Sequence, residues 1–336
     1  MPYSLLVKPA GADCNLACEY CFYHQKLGLY PKTPHPRMSK EVLGKLVKSG
    51  CQLAFQGGEP TLMGVDFFRG IGRPCSLQTN GTLIDDEWAE FLKAEGWLVG
   101  LSVDGPEAVH DKHRQCFTDV KRGYDCLMRH EVPVNTLTLV SEHNVKKAKE
   151  IYRFLRDELG SYHQQYIECT TPKAFAVSGK EWGDFLIELF DTWFTDGDSR
   201  RVSIRLFDTI VERMAYGRPS CCQFAADCRN YMVVEWNGDV YPCDFHVTEE
   251  WKLGNVMTDD LDRMFNSKKF REFGARKRLR AAECEKCQFL PFCQGDCPKN
   301  RDPNTDKSIL CEGYKRFFEH ALPVLHRLLQ DVVSGR

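Results

Sequence analysis

Cys14-Asn15-Leu16-Ala17-Cys18-Glu19-Tyr20-Cys21-Phe22-Tyr23 sets the terms for the whole chain. Its three cysteines are separated by three and then two residues. Iron–sulfur cubanes are held by Cys thiolates, normally four. Three so close together, with no obvious fourth nearby, predict a cubane with one iron left open to a ligand, and so a chemical role beyond passing electrons. A zinc knuckle or three unrelated buried thiols are the competing readings. Structural zinc sites favour paired Cys-x-x-Cys units closing at four ligands, which this run does not offer.

The spacing and its aromatic tail resemble the radical S-adenosylmethionine (radical SAM) superfamily. The resemblance implies that S-adenosylmethionine chelates the open iron through its amino and carboxylate groups. One electron from the cluster would then cleave the sulfonium to a 5′-deoxyadenosyl radical that takes a hydrogen atom from a substrate. In such proteins the cofactor carries the radical chemistry, and the chain supplies binding, orientation and electrostatics.

At 336 residues the length fits about two domains and a sizeable core. Net charge is −2 with both signs well mixed, which argues against nucleic acid or an anionic membrane surface as partner. The basic run Arg276-Lys277-Arg278-Leu279-Arg280 reads as a solvated helix face. No apolar run approaches the about 20 residues of a membrane span. The N-terminal residues lack the basic-then-apolar pattern of a secretory signal. Seventeen cysteines in a long chain without such a signal point to metal or redox chemistry rather than disulfides. An oxygen-poor cytoplasm is the expected compartment.

Short apolar runs alternate with amphipathic segments through the first two-thirds. Strands are predicted at Leu5–Lys8, Leu53–Phe55, Ser76–Gln78, Trp97–Val103, Val134–Val140 and Tyr166–Cys169. Ser39 caps a helix with Val42, Leu43, Leu46 and Val47 on one face, ended by Gly50. Asp85 caps a second helix, which bears Trp88, Phe91 and Leu92. Another is expected around Lys147–Glu158, and one near Leu206–Tyr216. Six strand–helix repeats read as a parallel α/β sheet. The resemblance sharpens this to a partial (β/α)6 barrel with its site at the strands' C-terminal ends. A domain boundary is expected near Gly217. This gives a barrel over 1–217, a cysteine-rich domain over 218–313 and a C-terminal helix over 314–336, apolar at helical spacing from Tyr314 to Leu329.

Gln56-Gly57-Gly58-Glu59-Pro60-Thr61 follows the second strand. Two glycines let backbone approach a ligand, and the Glu59 carboxylate suits an ammonium group. In radical SAM proteins a similar segment binds the methionine amino group. The resemblance further implies that Ser102 and Arg114 contact the cofactor's ribose and carboxylate, the latter by the guanidinium fork. It places Tyr20 near the adenine and Thr170 near the adenosyl group. Gln78-Thr79-Asn80-Gly81-Thr82 matches a family strand-end segment, although an ordinary Asn-Gly turn explains it as well.

Cysteines crowd the last third: Cys284-x-x-Cys287-x5-Cys293-x3-Cys297, then Cys311, with Cys222, Cys228 and Cys243 upstream. Eight make two four-thiolate sites by count; zinc ribbons would also suit the Cys-x-x-Cys pair. The array resembles the SPASM domain, which holds two auxiliary 4Fe–4S clusters. Carried over by position, that implies Cys222, Cys228, Cys243 and Cys297 for one cluster and Cys284, Cys287, Cys293 and Cys311 for the other. Cys221, beside Cys222, competes for the first place. Cys51, Cys75, Cys116, Cys126 and Cys169 are expected as buried free thiols.

Asn237-Gly238-Asp239-Val240-Tyr241-Pro242-Cys243-Asp244-Phe245 follows the sheet-like run Met232–Trp236, with Gly238 at a hairpin turn. Together with the Gln56–Thr61 segment, Ser76–Asp85, Val202–Arg205 and the opening Ser4–Pro9, it resembles the anaerobic sulfatase-maturating enzymes. That family implies oxidation of a Cys or Ser side chain in a sulfatase precursor to Cα-formylglycine, with three 4Fe–4S clusters and S-adenosyl-L-methionine. It makes Asp244 the general base and calls for an electron donor such as flavodoxin or ferredoxin. Tyr23 and the loop near His24 are candidates to line the peptide path. One departure stands out: only a short helix, around Val65–Arg69, fits between Thr61 and Ser76, where the family has a longer crossover. A parallel connection needs about a dozen residues, so the barrel closes with little to spare. Two other readings are a SPASM maturase that makes thioether or carbon–carbon crosslinks in a ribosomal peptide, and a zinc-binding interaction protein. The first commonly carries an N-terminal peptide-recognition domain, whereas this chain begins directly at the barrel.

Overall fold

The computed structural model describes residues 3–23, 28, 33 and 35–334. His24 lies outside the described residues. Ten strands follow in chain order: β1 (Ser4–Lys8), β2 (Gln52–Phe55), β3 (Ser76–Thr79), β4 (Leu98–Ser102), β5 (Val134–Val140), β6 (His163–Glu168), β7 (Ser203–Ile204), β8 (Tyr231–Glu235), β9 (Asp239–Tyr241) and β10 (Gly254–Asn255). The chain divides into two compact units. One comprises Met1–Val103, His110–Thr136 and Arg229–Gly274; the other comprises Asp104–Val109, Leu137–Cys228 and Ala275–Arg336.

In the first unit the strand order is β10-β9-β8-β1-β2-β3-β4. β8, β1, β2, β3 and β4 are mutually parallel, and the β8–β9–β10 edge is antiparallel. Leu5 and Val7, and Leu53 and Phe55, are fully buried at two-residue spacing on one face of each strand, while Leu6 and Ala54 on the other face are half-buried. The parallel β1–β8 register sets Leu5 opposite Met232, Val7 opposite Val234 and Lys8 opposite Glu235. The sheet-like run near residue 232 therefore joins the barrel sheet beside β1, a long-range pairing that local pattern cannot reveal.

The caps are where the sequence puts them. Ser39 accepts from Val42 N at 3.2 Å, and Asp85 from Trp88 N at 3.0 Å. The short β2–β3 crossover closes with a 3-10 turn, Pro60–Met63, and a one-turn helix, Val65–Phe68. Aromatic packing replaces the missing length. The buried Phe68 ring lies 5.0 Å from Phe55, 5.6 Å from Trp88 and 5.7 Å from Trp97. Burying one such ring contributes roughly 1.5–3 kcal/mol.

In the second unit β5, β6 and β7 are successive neighbours. β6 starts three residues earlier than the pattern predicts, because it buries Gln164 and Glu168. Gln164 donates to Ser161 O at 2.8 Å and accepts from Tyr166 Oη at 2.6 Å, so polar residues sit where apolar ones would mark a strand. The helix expected over Lys147–Glu158 is α-helical only over Ala148–Arg153, then widens to a π-turn over Phe154–Glu158. The C-terminal helix runs Cys311–Val333, so Cys311 opens it. It docks on the helix Gly179–Thr195 through glycines. A Cβ at Gly313 would stand 2.1 Å from Gly179 O, and one at Gly183 would stand 2.6 Å from Gly313 Cα. That close approach fixes the height of Cys311.

Candidate active site and metal centres

β1 ends at Lys8 and the chain turns into the cysteine loop. Cys14 Sγ accepts from Leu16 N at 3.4 Å and from Asn80 Nδ2 at 3.8 Å. Cys21 N donates to Cys18 O at 3.1 Å, and Cys18 Sγ lies 3.9 Å from Arg114 O. Burial pushes the Cys14 thiol up to about 11, with Glu59, Cys18 and Cys21 adding to the effect. Cys14 thus feels both other thiols, and N–H groups point at its sulfur, a donor set suited to three-thiolate ligation of a cubane.

The Gly57-Gly58 segment packs backbone to backbone on this loop. Gly58 N donates to Gly11 O and Glu59 N to Asp13 O, both at 2.8 Å. A Cβ on Gly58 would stand 1.8 Å from Asp13 O, and Gly57 has φ +131°. Glycine is therefore required to seat the cysteine loop itself.

Glu59 is fully buried; Oε1 accepts from Thr61 N (2.9 Å), Thr61 Oγ1 (2.7 Å) and Thr79 Oγ1 (2.8 Å), and Oε2 from Asn80 N (2.8 Å). Burial pushes its pKa up, and these donors pull against the rise. A carboxylate so held clamps the ends of β2 and β3 together. Asn80 is in turn more than a turn residue, since its amide also donates to Asn15 Oδ1 at 2.9 Å.

Asp244 sits in the same unit, in the 3-10 turn after β9. Lys8 Nζ lies 2.6 Å from its Oδ1, and Gln56 Nε2 donates to Oδ2 at 3.4 Å. Lys8, only 1% exposed, also stands over the Tyr23 ring at 4.7 Å. Tyr23 donates to Glu235 Oε1 at 2.5 Å. Phe22 and Phe245 stack alongside at 4.6 Å. Sequence reading missed Lys8, Gln56 and Glu235 as members of this array. The available signal was a lysine at the end of an otherwise apolar buried strand. Tyr20 is buried under the Arg114 guanidinium (5.5 Å) and edge-on to His113 (6.0 Å), and Ser102 closes β4.

Thr170 belongs to the second unit. Its hydroxyl donates to Asn300 Oδ1 at 2.9 Å and accepts from Lys299 Nζ at 3.2 Å, a commitment the sequence did not disclose. Also in this unit, Cys284, Cys287, Cys293 and Cys311 all line one small cavity walled by Phe289 and Phe318. Burial pushes Cys293 up to about 12 and raises Cys284 and Cys311, and Cys284 feels Cys287 as Cys311 feels Cys284. Four mutually sensed thiols around an apolar-walled cavity suit a cubane. Cys222, Cys228 and Cys297 share the second unit, whereas Cys243 belongs to the first, 3.5 Å from Tyr231 Oη. Cys221 is drawn down to about 7, chiefly by a hydrogen bond with Cys222.

Two expectations fail. Cys116 is exposed, unlike the buried Cys51, Cys75, Cys126 and Cys169, because the residues before the helix Phe117–Arg129 turn left-handed at Gln115 and Cys116. The basic run is not a solvated face either. Lys277 is fully buried and donates to Gln223 O and Asp296 O, both at 2.5 Å, while Arg280 pairs with Glu285 at 2.9 Å. Elsewhere, Asp86, Cys126 and His130 bring a carboxylate, a thiol and an imidazole together. Arg129 Nη2 holds the same Asp86 oxygen at 2.8 Å, so that carboxylate already has its cation. Among the described residues no helix is long and apolar enough to cross a membrane.

Comparison with known proteins agrees with this layout. The profile of the Radical SAM superfamily matches residues 9–155, and that of SPASM, an iron–sulfur cluster-binding domain, matches residues 222–288. A cysteine-type anaerobic sulfatase-maturating enzyme of Clostridium perfringens is 35% identical over 98% of this chain and 99% of its own length. A serine-type enzyme of Bacteroides thetaiotaomicron is 32% identical over 99% of this chain and 92% of its own. The solved structure of native anSMEcpe with bound AdoMet and Cp18Cys peptide superposes with a TM-score of 0.90. It is 34% identical, covering 99% of this chain and all of that one.

Proposed function

The chain belongs to the anaerobic sulfatase-maturating enzymes, radical SAM proteins with a SPASM domain, and from that membership we propose how its residues share the work. It is an oxidoreductase that converts a Cys or Ser side chain of a sulfatase precursor to Cα-formylglycine, using three 4Fe–4S clusters and S-adenosyl-L-methionine. The observation that carries the assignment of roles is the presence, in one compact unit, of the Cys14–Cys18–Cys21 loop and of an Asp244 carboxylate held by Lys8 and Gln56.

Cys14, Cys18 and Cys21 hold the cluster that binds S-adenosylmethionine. Cys284, Cys287, Cys293 and Cys311 hold one auxiliary cluster, and Cys222, Cys228, Cys243 and Cys297 the other. When bound, these groups supply a 5′-deoxyadenosyl radical that takes a Cβ hydrogen atom, and an acceptor for the electron that follows. Gly57 and Gly58 bring backbone to the cofactor's methionine end, and the Glu59 carboxylate receives its amino group. Ser102 and Arg114 reach its ribose and carboxylate, Tyr20 its adenine and Thr170 its adenosyl group. Asp244 accepts the thiol or hydroxyl proton, and Lys8 and Gln56 orient it for that transfer. Hydrogen atom, electron and proton together leave a Ser as the aldehyde and a Cys as a thioaldehyde. Water converts the thioaldehyde to the aldehyde with loss of hydrogen sulfide. Tyr23, under the Lys8 ammonium, lines the peptide path. Flavodoxin or ferredoxin delivers the reducing electron, and the oxygen sensitivity of an open-iron cluster favours the cytoplasm.

The test is an anaerobic incubation with reductant, S-adenosylmethionine and sulfatase-derived peptides carrying Cys or Ser. Formylglycine in at least one peptide, with matching 5′-deoxyadenosine, is expected. Deoxyadenosine with both peptides unchanged would overturn the substrate and leave the radical chemistry standing.

A further inference from the structure

Arg301 directs its hydrogen bonds to main-chain carbonyls. Nε donates to Gly295 O at 3.0 Å, Nη1 to Arg276 O at 3.3 Å and to Leu279 O, and Nη2 to Lys277 O at 2.9 Å and Asp296 O at 3.1 Å. Among the described residues no carboxylate pairs with it. The nearest, Asp296, is buried and accepts from Gln223, Asn300, Ser308 and the Cys297 amide instead. An arginine in a purely structural role favours a bidentate carboxylate, which this one does without.

The two segments that Arg301 ties together both lead to cluster cysteines. Arg276–Leu279 precedes Cys284, and Gly295–Asp296 precedes Cys297. Gly295 also lines the cavity of Cys284, Cys287, Cys293 and Cys311, and a Cβ there would stand 3.1 Å from Arg301 Nη2. Burial lowers the Arg301 pKa, and Asp296, Cys228, Cys297 and Cys284 pull against the fall. Every one of these groups lies in the second unit.

We propose that Arg301 is a shared cationic brace for both auxiliary clusters: it fixes the loops that present Cys284 and Cys297 and raises both reduction potentials, so that the clusters accept the electron leaving the substrate. The inference rests on the assignment of cluster ligands made above. A reduced cluster carries one more negative charge than an oxidised one, and net charge and hydrogen bonding set its potential. A permanent guanidinium beside both favours the reduced form, and Arg remains charged at any working pH. The electron passes from the substrate-derived carbon radical to an auxiliary cluster as its proton passes to Asp244.

The test uses the full chain with Cys14, Cys18 and Cys21 replaced by Ala, so that only auxiliary clusters report. It is reconstituted anaerobically and titrated potentiometrically with electron paramagnetic resonance as the readout. Arg301→Gln should hold the same iron and sulfide but shift the one-electron equilibrium tenfold against reduction, about 59 mV more negative. Arg301→Lys should stay near the parent potential. Full loading of Arg301→Gln at unchanged potentials would overturn the proposal. Should Arg301→Gln lose iron, Arg301→Lys decides: iron retained at the parent potentials supports the charge, and iron lost equally overturns it. A parent chain that binds no auxiliary clusters would instead defeat the ligand assignment itself.

Discussion

The cysteine loop of the first unit and the cysteines of the second stand in different electrostatic surroundings. Cys14 feels the carboxylate of Glu59 and the neighbouring thiols, and no cation is among the principal influences on it. Cys228 feels Lys277, Arg301 and Arg276 against Asp227, Cys311 feels Lys315 and Lys307 against Glu283, and Cys293 feels Asp296. Negative surroundings disfavour a reduced cluster and positive ones favour it, so the cations of the second region would ease reduction there and its acids oppose them. The two N–H groups aimed at Cys14 work against that bias and keep the contrast one of degree.

The largest break in this comparison comes from replacing Cys14, Cys18 and Cys21 together with Ala. Deoxyadenosine formation should vanish, while iron analysis still finds the auxiliary share. Asp244→Asn should sharpen it by separating proton from electron. Peptide oxidation should fall about 10²–10⁴-fold by mass spectrometry while cofactor cleavage continues. Lys8→Met removes the cation from a pair whose lysine is buried, leaving Asp244 without its partner. A loss of about 3–5 kcal/mol in chemical denaturation is expected. Gly313→Ala acts only on the second unit, by forcing the C-terminal helix off Gly179. It should cost about 1–3 kcal/mol and loosen iron from the Cys311 site before it affects the Cys14 site.

Much of this was legible in sequence because cluster ligation imposes fixed residue types at fixed local spacing, as in Cys14 to Cys21 and Cys284 to Cys297. β1 through β5 were legible because short segments carrying Leu, Val or Phe recur between amphipathic helices. What stayed hidden depended on partners far along the chain. β8 pairs with β1 across more than two hundred residues, and Lys8 gains its role only when the turn after β9 brings Asp244 to it. Charge misled too, since Lys277 looked solvated and is buried on two carbonyls. Gln164 and Glu168 hid the start of β6 by being polar and buried at once.

The division of labour between the two cysteine regions is tested most directly by Cys287→Ala, assayed for deoxyadenosine and formylglycine in the same anaerobic reaction with a sulfatase-derived peptide. The account predicts that deoxyadenosine persists while formylglycine is lost. Formylglycine made at the wild-type ratio to deoxyadenosine would contradict it.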